Sequence, residues 1–331
     1  MQNKKRKGRF LPLLLILVFI FALLYFIEEI TPIMYINKIN TQSLSNQNFI
    51  YLKKDTVFGV IADNNKLSLI SREDLRNLKD KNLTIFLDEN TPAYFEGNFD
   101  GKDIFISKDI KCKKIFSIND KKNTFFSKIR NLKFLLLYNI DKESAFYYEY
   151  KNLIKNLALT NFNPIKDVCF IAKNEAFIEE KFVKDSQKLT YPDVNYQINL
   201  IKNVIYIDKE PKKFYEKKYK YIEAINKGHS YTYFYKNPDI NFFVKAGDNT
   251  YTFGDIINVK DNPVMYFYVK PKFITAVYIN GKLKNYYKGS FSITPKSAGY
   301  YQFVVFDYKY NLLNLFFGFD IVAITNPVYF E

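Results

Sequence analysis

The sequence predicts an α/β domain followed by an all-β, immunoglobulin-like sandwich, with one transmembrane helix in front of both. Three observations predict this order. Residues 10–27 form an uncharged apolar run. In residues 49–235, short apolar strands alternate with helix-like stretches, which indicates parallel pairing. Residues 236–331 carry only strand patterns separated by turns, which is typical of a sandwich.

The apolar run at 10–27 has eighteen residues and would make about 27 Å of helix, enough to cross a bilayer. A cleaved secretory signal is the alternative, but bulky Tyr25, Phe26 and Ile27 stand where small residues would mark a cleavage site. Five basic residues lie within 1–9 and favour a cytoplasmic N-terminus. We therefore predict a single-pass membrane protein with a polar stalk at 28–48 and its bulk in the periplasm or at the cell surface.

The charge and composition of the chain limit the classes of partner that we expect. The net charge is +15, and beyond residue 9 it is still +10, from 44 basic against 34 acidic residues. The lysines are scattered among Asn, Ile, Phe and Tyr, a bias that an AT-rich genome produces, so we expect no nucleic-acid partner. The membrane and an unknown protein or envelope ligand are the expected partners.

Cys112 and Cys169 either form a disulfide or stay as buried thiols, since both lie at predicted strands.

The α/β prediction for 49–235 depends on strands near 57–62, 83–87, 103–107, 115–117, 133–138, 168–172 and 204–207. Helices are expected at 71–82, which begins with a Ser-Arg-Glu-Asp cap, and at about 144–159. A further helix over 217–227 places Tyr221, Ile222 and Ile225 on one side and ends at Gly228.

The sandwich prediction depends on eight strand-like segments with polar and apolar alternation. Asn280-Gly281 lies between two of them and predicts a tight hairpin turn. The segments are INFFVKA, NTYTF, VMYFYVK, ITAVYI, KLKNYY, SFSIT, YYQFVVFDY and DIVAI.

Four motifs in the last third of the chain occur in a fixed order. They are Ala224-Ile-Asn-Lys-Gly228-His-Ser-Tyr231, Ile279-Asn-Gly281-Lys282, Ala298-Gly299-Tyr300-Tyr301 and Ile324-Thr-Asn-Pro-Val-Tyr329. Together they resemble the C-terminal part of a group of PHP-domain proteins, the metal-dependent phosphoesterases named for polymerase and histidinol phosphatase. The resemblance implies a distorted, barrel-like α/β domain before the sandwich. His229 stands where the group has arginine, and Thr325 where it has serine.

The N-terminal half departs from the metal motifs of that group. Ala62 and Asn64 take the positions of a His-x-His pair, and Asp88-Glu89 the position of an Asp-His pair. Tyr138-Asn139 stands where a His-Pro step is expected, and Asp208-Lys-Glu210 is laid on an Asp-x-His step. Alanine and a neutral asparagine amide do not replace imidazole as a transition-metal ligand. We therefore expect no catalytic residue and no cofactor, and a protein that works by binding or as a scaffold.

Two alternatives remain open. Asp63, Asp88, Glu89, Asp208 and Glu210 supply a carboxylate-only site for a hard divalent cation, which would make the protein a residual phosphoesterase. An adhesion protein that acts through the sandwich would instead expose an apolar or aromatic patch there.

The junction at Gly228 and His229 has no flexible linker, so we expect tight packing with Gly228 as a left-handed helix exit. We assign His229 and the following Tyr231, Tyr233, Phe234 and Tyr235 to packing rather than to chemistry or sugar binding.

Overall fold

The computed structural model describes the second half of the chain almost continuously and the first half in pieces. The described residues are 12, 14–16, 18–19, 22–23, 26–27, 30, 33–42, 44, 50, 52–61, 84–88, 96–99, 101–107, 110–114, 137–138, 140–141, 169–171, 174–175, 177–182, 185–190, 201–208 and 211–331.

Strands dominate the described part of the chain. The first twelve are β1 Ile33–Tyr35, β2 Ile39–Thr41, β3 Lys54–Ile61, β4 Thr84–Asp88, β5 Gly97–Phe99, β6 Lys102–Ser107, β7 Lys113–Lys114, β8 Phe170–Ile171, β9 Asn174–Glu175, β10 Phe177–Phe182, β11 Asp185–Thr190 and β12 Ile201–Tyr206. Helix α1 follows at Phe214–Asn226, and a 3₁₀ turn lies at Val259–Asp261. The remaining strands are β13 Ser230–Phe234, β14 Asn241–Ala246, β15 Asn249–Tyr251, β16 Ile256–Ile257, β17 Val264–Tyr268, β18 Ile274–Ile279, β19 Lys282–Lys288, β20 Phe291–Ile293, β21 Gly299–Asp307, β22 Tyr310–Leu312, β23 Leu315–Phe317, β24 Asp320–Thr325 and β25 Val328–Phe330.

One fourteen-stranded sheet runs through the described molecule in the order β2-β19-β18-β21-β24-β13-β12-β3-β4-β6-β5, with β9, β16 and β25 attached beside it. It crosses the expected boundary at residues 235 and 236 without a break, because β13 pairs with both β12 and β24. A four-stranded antiparallel sheet, β15-β14-β17-β20, covers one face of it. The core between these two sheets is rich in aromatic rings, among them Phe242, Phe253, Phe267 and Phe303.

The opposite face of the large sheet carries a second apolar core. A three-stranded sheet, β1-β23-β22, covers this core. Phe316 of β23 and Ile36, which follows β1, bury their side chains in it. These side chains pack with Phe306, Phe319 and Ile324 of the large sheet and its loops. The predicted strands from 240 to 324 are confirmed, and the helix predicted over 217–227 is confirmed as α1, with Tyr221, Ile222 and Ile225 buried.

The predicted barrel-like α/β domain is wrong. Strands make up 48% of the described residues, and β12 runs antiparallel to both β3 and β13, which a parallel barrel excludes. Among the strands predicted there, parallel pairing is confirmed for β3, β4 and β6, and for β8, which pairs with β7. Leu137 and Tyr138 are helical where a strand was predicted. The helices predicted at 71–82 and 144–159 lie outside the described residues.

The predicted transmembrane anchor at 10–27 is also wrong, and so is the single-pass membrane location that depended on it. No helix among the described residues is long and apolar enough to cross a membrane.

A disulfide joins Cys112 to Cys169, which are 57 positions apart. It ties the short parallel pair β7 and β8 to the end of α1, because Cys112 Sγ lies 2.9 Å from the carbonyl oxygen of Ile225. Of the two alternatives that the sequence left open for these cysteines, the structure contains the disulfide.

Candidate docking face and cavity

The carboxylates proposed for a cation do not converge where the structure describes them. Asp88 is the last residue of β4, at the edge of the sheet where the parallel strands β3, β4 and β6 end. Asp208 is exposed and follows β12, whose Tyr206 pairs with Lys54 at the opposite end of β3. Six strand positions separate Lys54 from Val60, the partner of Leu87, so about 20 Å lies between these two edges.

Asp208 and Asp88 therefore cannot bind the same metal ion, because they lie at opposite ends of β3. Ala62, Asp63, Asn64, Glu89 and Glu210 lie outside the described residues. Within the described ranges, no cluster of three or more His, Cys, Asp or Glu side chains is arranged to hold a metal ion.

The junction after α1 is a tightly built helix exit. Gly228 has φ +77°, and its N–H donates to Ile225 O at 2.9 Å while His229 N–H donates to Ala224 O at 2.9 Å. This pair of bonds is the Schellman arrangement, which satisfies the last carbonyl groups of a helix. The predicted left-handed conformation of Gly228 is confirmed. A β-carbon there would meet Gly254 Cα at 3.5 Å, an ordinary contact, so the cost of alanine at this position comes from the positive φ and not from a steric clash.

The side chain of His229 closes the junction from one side. Its Nε2 lies 2.9 Å from Asp255 Oδ1, and Asp255 Oδ2 accepts from the backbone N–H of Thr252 at 2.7 Å. Asn326 closes the other side, because its Nδ2 donates to Ser230 Oγ at 2.7 Å. His229 thus connects the helix exit to the segment of Thr252 through the carboxylate of Asp255.

The tyrosine-rich strand after the junction is mostly core. Tyr231, Tyr233 and Phe234 are buried, which confirms their assignment to packing. Tyr235 differs, because it has φ +55° and the Lys236 N–H donates back to Phe234 O across it. Such a three-residue turn is uncommon and strained. It directs the chain out of the large sheet beside a cavity.

The outer face of the three-stranded sheet is apolar throughout. The strand register aligns Ile33, Phe317 and Tyr310 in one row, and Tyr35, Leu315 and Leu312 in a second row on the same face. We call these six residues the docking face. Solvated faces of antiparallel sheets normally carry polar residues. Here the exposed fractions are 49% for Ile33, 62% for Tyr35, 65% for Tyr310, 64% for Leu312 and 38% for Leu315.

The turn between β22 and β23 adds a seventh apolar side chain. Leu313 is 88% exposed and has φ +54°, a left-handed conformation that a branched side chain disfavours by about 1 kcal/mol. Asparagine or glycine normally takes such a position in a hairpin. Neither burial nor backbone preference within the described chain accounts for a leucine at this point.

A cavity of about 190 Å³ opens at the foot of this hairpin. Lys309 precedes β22 and Gly318 follows β23, and both line the cavity. The docking face and the cavity are therefore continuous along the hairpin. The other lining residues are Phe234, Tyr235, Lys236, Asp307, Tyr308, Asp320, Ile321 and Val322.

Lysines gather around this cavity. Lys236 Nζ pairs with Asp307 Oδ2 at 2.7 Å, and Lys272 Nζ lies 4.8 Å from the ring centre of Phe273, beside Lys236. Contact with the Lys236 side chain, followed by desolvation, lowers the pKa of Lys272. Lys288 approaches the ring of Tyr308 at 5.8 Å. The lining and these two neighbours carry four ammonium groups, including that of Lys309, against the carboxylates of Asp307 and Asp320.

Sequence reasoning located neither feature, although an exposed apolar or aromatic patch was the mark expected of the adhesion alternative. The segment Tyr310-Asn-Leu-Leu-Asn-Leu-Phe-Phe317 has the composition of a buried hairpin, and the chain alone does not indicate which of its faces meets solvent. Leucine at the position of a two-residue turn was the available signal. No known protein family, curated protein or solved structure matches this chain, so no relative supplies a function for the docking face or the cavity.

Proposed function

We propose that this protein is a non-catalytic binding protein that holds a partner protein against the docking face. The observation that carries the proposal is the apolar outer face of the three-stranded sheet, six aligned side chains of which five are exposed. An apolar patch of this kind on a folded protein marks an interaction site. Aromatic side chains such as Tyr35 and Tyr310 are enriched at the centres of such sites.

The inner face of the same sheet supports this proposal. Met34 and Phe316 lie in the alternate row and pack against the core, which fixes the orientation of the sheet with its other face outward. Leu313 supports it as well, since its exposure and its positive φ both disfavour leucine in the free protein. A preformed rigid surface loses little conformational freedom on binding.

Site-specific photo-cross-linking in the source cells tests the proposal. A photoreactive side chain at Leu313 is compared with the same group at Leu283, which is also an exposed leucine but lies on β19, away from the docking face. We expect one recurrent protein adduct from position 313 and none from position 283. Equal adducts from both positions, or none from 313, would contradict the proposal.

A further inference from the structure

The cavity beside the docking face has the chemistry of a subsite for a negatively charged group. Lys236 and Lys309 enter its lining from two different elements, the turn after β13 and the residue before β22. Lys272 lies beside Lys236, and two cationic groups held together are stabilised when an anion binds between or beside them. Tyr235 and Tyr308 supply aromatic walls around this site.

Strand β22 lies next to the cavity and carries part of the docking face, so a segment paired with it would contact both. It is the last strand in the order of the three-stranded sheet, and among the described residues it pairs only with β23. All three of its residues are exposed. An extended segment of another protein can pair with such an edge, which places its alternate side chains on the two faces of the sheet.

Resting on the proposed function, we propose that the partner contributes an extended acidic segment that pairs with the open edge of β22. Its apolar side chains extend the two rows of the docking face, and one carboxylate enters the cavity near Lys236 and Lys309. A second copy of this chain fits less well, because a net charge of +15 opposes self-association. A lipid surface does not need a bounded cavity or a strand edge.

Selection from a displayed library of random octapeptides tests the inference on the full chain. We expect the wild-type protein to enrich peptides that combine alternating apolar residues with at least one Asp or Glu. The Lys236→Met and Lys309→Met double variant should bind the selected peptides about tenfold more weakly or worse, since a charge-assisted bond is lost. Lys260→Met with Lys282→Met is the matched control, because both lysines are exposed and lie outside the cavity lining.

The variants separate this inference from the proposed function. Leu312→Ser with Leu315→Ser should abolish enrichment altogether. Selected peptides without acidic residues, or peptides that the two cavity lysines do not affect, would overturn the subsite and leave the docking face intact. No enrichment by the wild-type protein would overturn both proposals, and so would leucine-dependent binding to phosphatidylglycerol vesicles. If the double lysine variant does not fold, Lys309→Met alone replaces it.

Discussion

Gly254→Ala is the single substitution that the structure expects to damage the junction most. Gly254 has φ +83°, and a β-carbon there would lie 1.8 Å from Lys227 O and 2.8 Å from the Lys227 carbonyl carbon. Neither Gly254 nor the Lys227 carbonyl group can shift freely to relieve this overlap. The Gly254 N–H donates to Pro327 O at 2.7 Å, and Lys227 is the capping residue of α1, immediately before the Schellman turn.

The magnitude follows from these contacts. The left-handed conformation costs about 1 kcal/mol for a residue other than glycine. Relief of the clash requires a shift of more than about 1 Å in a packed region, for which overpacking costs about 1–3 kcal/mol. The shift also weakens one or two backbone hydrogen bonds at about 1 kcal/mol each. We therefore expect a loss of about 3–6 kcal/mol from the free energy of unfolding.

Urea unfolding followed by circular dichroism measures this loss, with two other glycines as matched controls. Gly247 has φ +60° with nothing within 4 Å of its β-position, so Gly247→Ala reports the backbone cost alone, about 1 kcal/mol. Gly228→Ala adds only ordinary contacts and should lie close to Gly247→Ala, at about 1–2 kcal/mol. Limited proteolysis should cut Gly254→Ala, but not the wild type, between Ile222 and Asp239. A Gly254→Ala protein as stable as Gly247→Ala would refute the reasoning.

Four further predictions address other parts of the chain. Reduction of the Cys112–Cys169 disulfide should lower the free energy of unfolding by about 2–4 kcal/mol, measured in urea with and without dithiothreitol, because the open chain regains the entropy of a 57-residue loop. Leu313→Asn should raise the free energy of unfolding, measured in urea, by up to about 1 kcal/mol, and a fall would show that the positive φ of Leu313 carries no strain. Burial raises the pKa of Tyr286 to about 12; since the folded value lies above that of the unfolded chain, near 10, stability should fall between about pH 10 and pH 12. Tyr286→Phe should reduce that fall, and an unchanged profile would contradict the assignment. His229→Ala should lower stability by about 1 kcal/mol through loss of its Asp255 contact, with a melting scan as the measurement and His229→Gln as the control that keeps a hydrogen-bonding group.

The strands of the sandwich and helix α1 were predictable because their signals are local. Alternation of apolar and polar residues fixes which side chains of a strand face a core, and Gly228 marks a helix exit because few other residues adopt φ +77° without strain. The same locality explains the errors in the N-terminal half. Apolar runs predicted parallel strands, but the sequence of a run does not encode its direction, and β12 pairs antiparallel to β3.

The resemblance to PHP-domain proteins stays a prediction, while the barrel expected from it is wrong. Two of the quoted motifs meet at the junction after α1. The Ser230 N–H donates to Gly228 O at 2.7 Å, and Asn326 Nδ2 donates to Ser230 Oγ at 2.7 Å.

The sequence by itself determined the strand and turn pattern from residue 240 onward and the helix exit at Gly228. Only the tertiary structure decided what these elements leave exposed. Ile33 and Phe317 are 284 positions apart, and pairing of β1 with β23 places them in one row. Because a strand exposes one face or the other according to what covers it, only the packing of Phe316 on the core turned the apolar side chains of the docking face towards solvent.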